Sequence, residues 1–130
     1  MITPLYAAIL ALLLVVLSSR VIKQRMKHQV GLGDGGHSSL TRAIRVHGNF
    51  VEYVPFALLL IWMYEMMNGA LILVHILGIA LVIGRLLHAY GVSQQNEVIK
   101  FRQAGMFTTF AVLIVSAVLI LLKYLTFLMM

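Results

Sequence analysis

Long apolar runs dominate the chain and give way to polar residues at three places. Ile2–Ser19, Phe50–Met67, Ala70–Leu87 and Met106–Leu128 each approach the ~20 residues a helix needs to cross hydrocarbon. The pattern predicts an all-α, four-helix membrane bundle, a single domain over residues 1–130. Arg20–Gly48 separates the first two runs, with a Gly-rich turn at Gly31–Gly36. Asn68-Gly69 is a tight hairpin between the second and third, and Gly91–Lys100 leads to the fourth. The second helix is expected to start before its apolar run, because Ser38, Ser39 and Thr41 are N-cap candidates. Ser39–Met67 would then span about 43 Å at 1.5 Å per residue, more than the ~30 Å core. Arg42 and Arg45 should therefore project into the membrane interface. Pro55, mid-helix, predicts a kink that frees the Val51 carbonyl.

Composition narrows the class further. Of 130 residues, 62% are hydrophobic and 11% charged, with mean hydropathy +0.99. No soluble domain of this length has an interior for so much apolar side chain. The net charge of +6 does not indicate nucleic acid, since no aromatic-basic face accompanies it. Arg20, Lys23, Arg25, Lys27, Arg42, Arg45, Arg85, Lys100 and Arg102 instead fall on one side of the predicted spans, with Lys123 near the other. The positive-inside rule places that side in the cytoplasm and both termini outside (N-out, C-out). Met1-Ile-Thr-Pro-Leu5 lacks the basic start of a signal peptide, so the first span is expected to be retained as a helix. The chain has no cysteine, so thiol chemistry would have to come from a bound small molecule.

One helix carries a polar row through this apolar background. Arg45, Asn49 and Glu52 recur at i, i+4 and i+7 and share a narrow arc, followed by Tyr53 and Pro55. A carboxylate in hydrocarbon costs at least about 2.5 kcal/mol unless it faces protein, water or a counter-charge. The hairpin gives depth: Glu52 lies 16 residues before Asn68 and Arg85 lies 16 after Gly69. Both should sit about 24 Å from the turn, with Asn49 level with His88. Arg102 enters the last helix near the same level. The expected pocket comprises Arg45, Asn49, Glu52, Arg85, His88 and Arg102, with Glu52 and Arg85 in contact or sharing a ligand. An ion pair that fixes helix register needs one partner; three arginines around one glutamate suit an anionic ligand better.

Other features read more simply. Gly31-x-Gly33-x-x-Gly36 fits a dinucleotide fingerprint as a string, but it follows a membrane helix, not a strand, and reads as a loop. His75 reads as a hydrogen-bonded packing residue, and His28, His37 and His47 lack metal-ligand spacing, so no metal site is expected. Gly78 and Gly84 favour close helix packing. Glu65 reads as a solvated interface charge, and Met129 and Met130 as filler at a lipid-facing end.

Arg45-x3-Asn49-x2-Glu52-Tyr53-x-Pro55, then Arg85-x2-His88 and Arg102 opening the fourth helix, resembles the membrane-associated proteins in eicosanoid and glutathione metabolism. The likeness covers nearly the whole chain and points to a bacterial inner-membrane branch of that family. It implies a multi-pass homotrimer in the inner membrane, with glutathione bound between subunits and open to the cytoplasm. Arg45, Asn49, Glu52 and Tyr53 match residues that hold glutathione in characterised members. Arg102 matches the arginine associated with its thiolate, His88 falls where some members carry tyrosine, and Arg85 or Arg25 would add binding charge. The implied function is a glutathione transferase or peroxidase acting on a lipophilic small molecule that enters from membrane lipid. The alternatives are a non-enzymatic protein of the same fold binding another anion or lipid, or a small four-helix exporter.

Overall fold

Each apolar run forms a helix, and each helix extends beyond its run into polar sequence. In the computed structural model, which describes residues 1–129, α1 covers Thr3–His28, α2 Ser38–Met66, α3 Leu71–Ser93 and α4 Ile99–Leu128. Met130 lies outside the described residues. All four are long and apolar enough to cross a membrane, so this is an integral membrane protein with an all-α fold. α1 continues nine residues past Ser19 to His28, carrying Arg20, Lys23, Arg25 and Lys27. Lysine and arginine are good helix formers, and their stems lie along apolar surface while their heads reach water. The polar segment after the first span thus shortens to a loop over residues 29–37.

Helix α2 begins as expected but is capped differently. His37 is the N-cap and makes no side-chain cap bond. Asp34 acts from the loop: its Oδ2 accepts from the Thr41 hydroxyl at 2.7 Å and its Oδ1 from the Gly36 N–H at 3.0 Å. Helix α2 runs through Pro55 without interruption. At its far end Asn68 takes a left-handed φ of 54°, which asparagine tolerates well. Gly69 then comes so close to Tyr64 that a Cβ would lie 2.5 Å from the ring and 2.6 Å from the carbonyl oxygen. The Asn-Gly hairpin therefore demands both residue types.

α2 and α3 form the middle of the bundle. α1 packs against both from one side and α4 against both from the other, and among the described residues α1 and α4 do not meet. The core between them includes Leu10, Leu17, Val46, Phe50, Ala57, Ile61, Val74, Leu81 and Val112. Large apolar side chains cover the outside, among them Leu12 (70% exposed) and Ile114 (63%), a surface suited to lipid rather than water. The backbones of α3 and α4 approach closely, and a Cβ on Gly105 would lie 2.5 Å from the Gly84 carbonyl oxygen. On the α1 side, Tyr6 lies across Gly78 and its hydroxyl bonds His75 Nδ1 at 2.7 Å, the packing role expected of both residues.

Glu65 departs from expectation. It is buried, not solvated. Its carboxylate accepts from the Ile2 N–H, the Thr3 N–H at 2.9 Å and the Thr3 hydroxyl at 2.6 Å. The first N–H groups of any helix lack partners within it, and Ile2, the N-cap of α1, supplies no side-chain bond. A carboxylate from α2 fills that need and complements the positive end of the α1 dipole.

Candidate functional site

The lysines and arginines other than Lys123 gather at the end of the bundle opposite the Asn68-Gly69 turn, and there the helices part around an open cavity of about 450 Å³. Arg42, Arg45 and Asn49 reach it from α2, His88 and Val92 from α3, Arg102 from α4, and Asp34 and Glu97 from the two connections. Asn49 and His88 form part of its wall, and behind them Arg85 is 1% exposed. The Arg85 guanidinium donates from Nη2 to Asn49 Oδ1 at 2.6 Å and to His88 Nδ1 at 3.2 Å. Its Nη1 reaches Thr109 Oγ1 at 3.4 Å, and Cζ stands 5.8 Å from the Phe50 ring centroid. Nε is buried without a partner, and among the described residues Arg85 has no carboxylate counter-ion. A buried, uncompensated cation behind a cavity edged by three more arginines raises the potential inside it.

The sequence model of the MAPEG family matches residues 3–122. The chain belongs to the MAPEG family. It is also 44% identical over 114 residues, 88% of this chain and 86% of the relative, to "Inner membrane protein YecN" of Escherichia coli K12. The same protein of Escherichia coli O6:H1 gives the same identity and coverage.

Within this MAPEG chain the polar row is split between two environments. Asn49 and Tyr53 are half-buried, and Tyr53 meets Phe110 of α4 edge-on, with centroids 5.5 Å apart. Arg45 and Glu52 are exposed. Of the two relations expected of Glu52 and Arg85, contact or a shared ligand, the direct contact is not made; among the described residues Glu52 has no ion-pair partner, and Asn49 takes its place on Arg85. Counting residues fixed depth correctly, since Asn49 and His88 do lie at one level. It does not fix rotation. Three residues on from Asn49, Glu52 points about 60° further from the buried face. Arg25 also lies elsewhere: its Nη1 binds the carbonyls of Val30 (3.4 Å) and Gly33 (2.9 Å), tying the Gly-rich loop to the end of α1.

The remaining cavity residues differ in how far they are engaged. Arg42 donates to the carbonyls of Val92 (3.2 Å) and Gln95 (3.3 Å), capping the end of α3. Arg102 pairs with Glu97 at 2.7 Å, but its side chain is 52% exposed, and such a pair contributes only about 0–1 kcal/mol. Arg45 forms no ion pair among the described residues. Hydrogen bonds from Gly36 N–H and the Thr41 hydroxyl hold the Asp34 carboxyl below its ordinary range, so it stays charged at the rim. The expectation from sequence missed Arg42, Asp34 and Glu97 as cavity residues. Arg42 had a signal, lying one turn before Arg45, while the carboxylates sit in connections whose path no periodicity describes.

Proposed function

We propose that this protein binds glutathione in the arginine-edged cavity and activates its thiol toward lipophilic electrophiles, as a homotrimer in the bacterial inner membrane. The observation that carries this reading is the surplus of cationic and donor groups at membrane depth: Arg42, Arg45 and Arg102 around the cavity, with Arg85 buried behind it. Membership of the MAPEG family and the inner-membrane relatives support it. So does the charge asymmetry of the bundle, which by the positive-inside rule turns the cavity toward the cytoplasm.

In this reading Arg42 and Arg45 hold the carboxylates of glutathione, and Asn49 and His88 donate from the wall. Tyr53 and Glu52 complete the site at the contact between subunits, where Glu52 can take the ligand's ammonium. Arg102, freed from its weak pair with Glu97, lies beside the thiol. A fixed cation favours the thiolate, the nucleophilic form. The thiol proton leaves to water, and the sulfur's electron pair forms a bond to an electrophilic carbon while the leaving group departs with the pair of the broken bond. A substrate dissolved in the bilayer reaches the site from the apolar flank.

The test is equilibrium binding of glutathione to the purified protein, with thiolate absorbance followed in the ultraviolet. Arg45→Leu should weaken binding itself. Arg102→Leu should keep much of the binding but form less thiolate at neutral pH, each pKa unit being worth about 1.4 kcal/mol. Equal thiolate in Arg102→Leu and wild type would refute the role of Arg102. Absence of binding at millimolar glutathione would leave the rival reading, a non-enzymatic binder of another anion or lipid.

A further inference from the structure

Arg85 is the least exposed charged side chain of the cavity region, yet it does not line the cavity. Its contacts run to two residues that do, Asn49 and His88. A guanidinium has five donors and no acceptor, and it stays protonated. Whatever faces it must accept. Asn49 can do so only through Oδ1, so its amide nitrogen, carrying two donors, is left for the cavity. His88 can do so only with a lone pair on Nδ1, so the neutral ring carries its proton on Nε2.

We propose that Arg85 is a positioning residue that sets Asn49 and His88 as donors, committing this part of the cavity wall to an acceptor-only anionic group such as a carboxylate. Arg85 does not touch the ligand; it acts through the two residues in front of it. This assignment rests on the anion-binding reading above and deepens it. Arg42, Arg45 and Arg102 attract negative charge from any direction, whereas two fixed donors select where an acceptor sits. An ammonium group, which has no acceptor, would leave both donors unpaired, and a neutral hydroxyl, which brings a donor of its own and no charge, would be held less strongly than a carboxylate in a partly desolvated wall.

Two measurements on the full chain test this independently of glutathione binding and with it. The first uses protein labelled with ¹⁵N-histidine in detergent micelles without ligand, with His88 assigned by the signals lost in His88→Gln. The wild type should show a neutral His88 ring protonated at Nε2 and hydrogen-bonded at Nδ1, and Arg85→Met should move both ring-nitrogen shifts. A wild-type ring protonated at Nδ1, or shifts unchanged in Arg85→Met, would overturn the proposal. The second uses Asn49→Asp, which keeps an oxygen on Arg85 but turns a second oxygen, not a donor, to the cavity. It should unfold no more easily than wild type and leave the His88 shifts in place, yet bind glutathione at least roughly tenfold more weakly. Unchanged affinity in Asn49→Asp also overturns the assignment. If Arg85→Met fails to fold, Asn49→Asp and the wild-type ring state carry the test. If wild type binds no glutathione, the functional reading falls and the His88 ring state alone decides the role of Arg85.

Discussion

Glu65→Ala should cost more protomer stability than any other single carboxylate replacement in the chain. The buried Glu65 carboxylate accepts from the Ile2 N–H, the Thr3 N–H and the Thr3 hydroxyl, joining the start of α1 to the end of α2. A hydrogen bond to a charged group contributes about 1.5–3 kcal/mol, but three sharing one carboxylate do not add in full. Loss of a helix cap alone costs about 0.5–2 kcal/mol, and at this end of the bundle water or headgroups can replace part of what is lost. A net cost of roughly 2–4 kcal/mol follows, the upper part requiring that the Thr3 hydroxyl also lose its partner. Glu65→Gln keeps an acceptor oxygen but loses the charge facing the helix dipole, so it should cost about half as much.

The chain offers its own probe, since Trp62 is its single tryptophan and lies three residues before Glu65 on α2. Titration of the detergent-solubilised protein with sodium dodecyl sulfate, read by Trp62 fluorescence and by helical circular dichroism, gives the unfolding midpoint. Glu65→Ala should lower it clearly and Glu65→Gln less, while Glu52→Ala, whose side chain is exposed and unpaired among the described residues, should barely move it for the isolated chain. Equal midpoints for Glu65→Ala and Glu52→Ala would refute the capping argument.

Three further outcomes follow from the packing and the loop. Gly105→Ala places a Cβ 2.5 Å from the Gly84 carbonyl and 2.6 Å from His88 N, so it should cost about 1–3 kcal/mol in the same titration and disturb the His88 ring signals; tolerance without change would contradict the close approach of α3 and α4. Tyr6→Phe removes the 2.7 Å bond to His75 while keeping the ring over Gly78, and should cost roughly 0.6–1.7 kcal/mol, the range for such bonds in membrane bundles; a loss as large as that of Tyr6→Ala would show that packing, not the bond, matters. The Asp34 carboxyl is held below its ordinary range, so its loop contacts should be complete above that range and lost as pH falls through the lowered value; the Gly36 amide shift should report this, and titration at the ordinary carboxylate pH would refute it.

The sequence made the membrane fold legible because burial in lipid asks for one simple pattern, about 20 apolar residues without interruption. It was less informative about where helices end, because Arg20 to His28 can extend α1 into the interface as readily as form a loop. Depth was legible too: counting from Asn68-Gly69 brought Asn49 and His88 to the same level, and Arg85 joins them. Rotation about the helix was not, and Glu52 shows why. A polar row with i, i+4, i+7 spacing spans an arc wide enough for one edge to face the core and the other the outside. Contacts from the connections were also out of reach, as with Glu97 on Arg102 and Asp34 on Thr41.

The two membrane-level glutamates exchange the roles their positions suggest, and the physical reason is the supply of donors. Glu65, at the end of a helix, would ordinarily be free to face water, but the start of α1 presents N–H groups that need an acceptor, so the carboxylate turns inward and is satisfied. Glu52, beside an apolar stretch, would ordinarily be forced inward, but the buried cation Arg85 is already occupied by Asn49 and His88. It therefore remains on the surface of the chain, where lipid contact would cost at least about 2.5 kcal/mol. That cost is removed if a neighbouring chain or a bound ammonium group meets it. Glu65 thus serves the fold, and in the proposed reading Glu52 serves assembly or ligand binding, which is why the trimer and the shared site are one proposal rather than two.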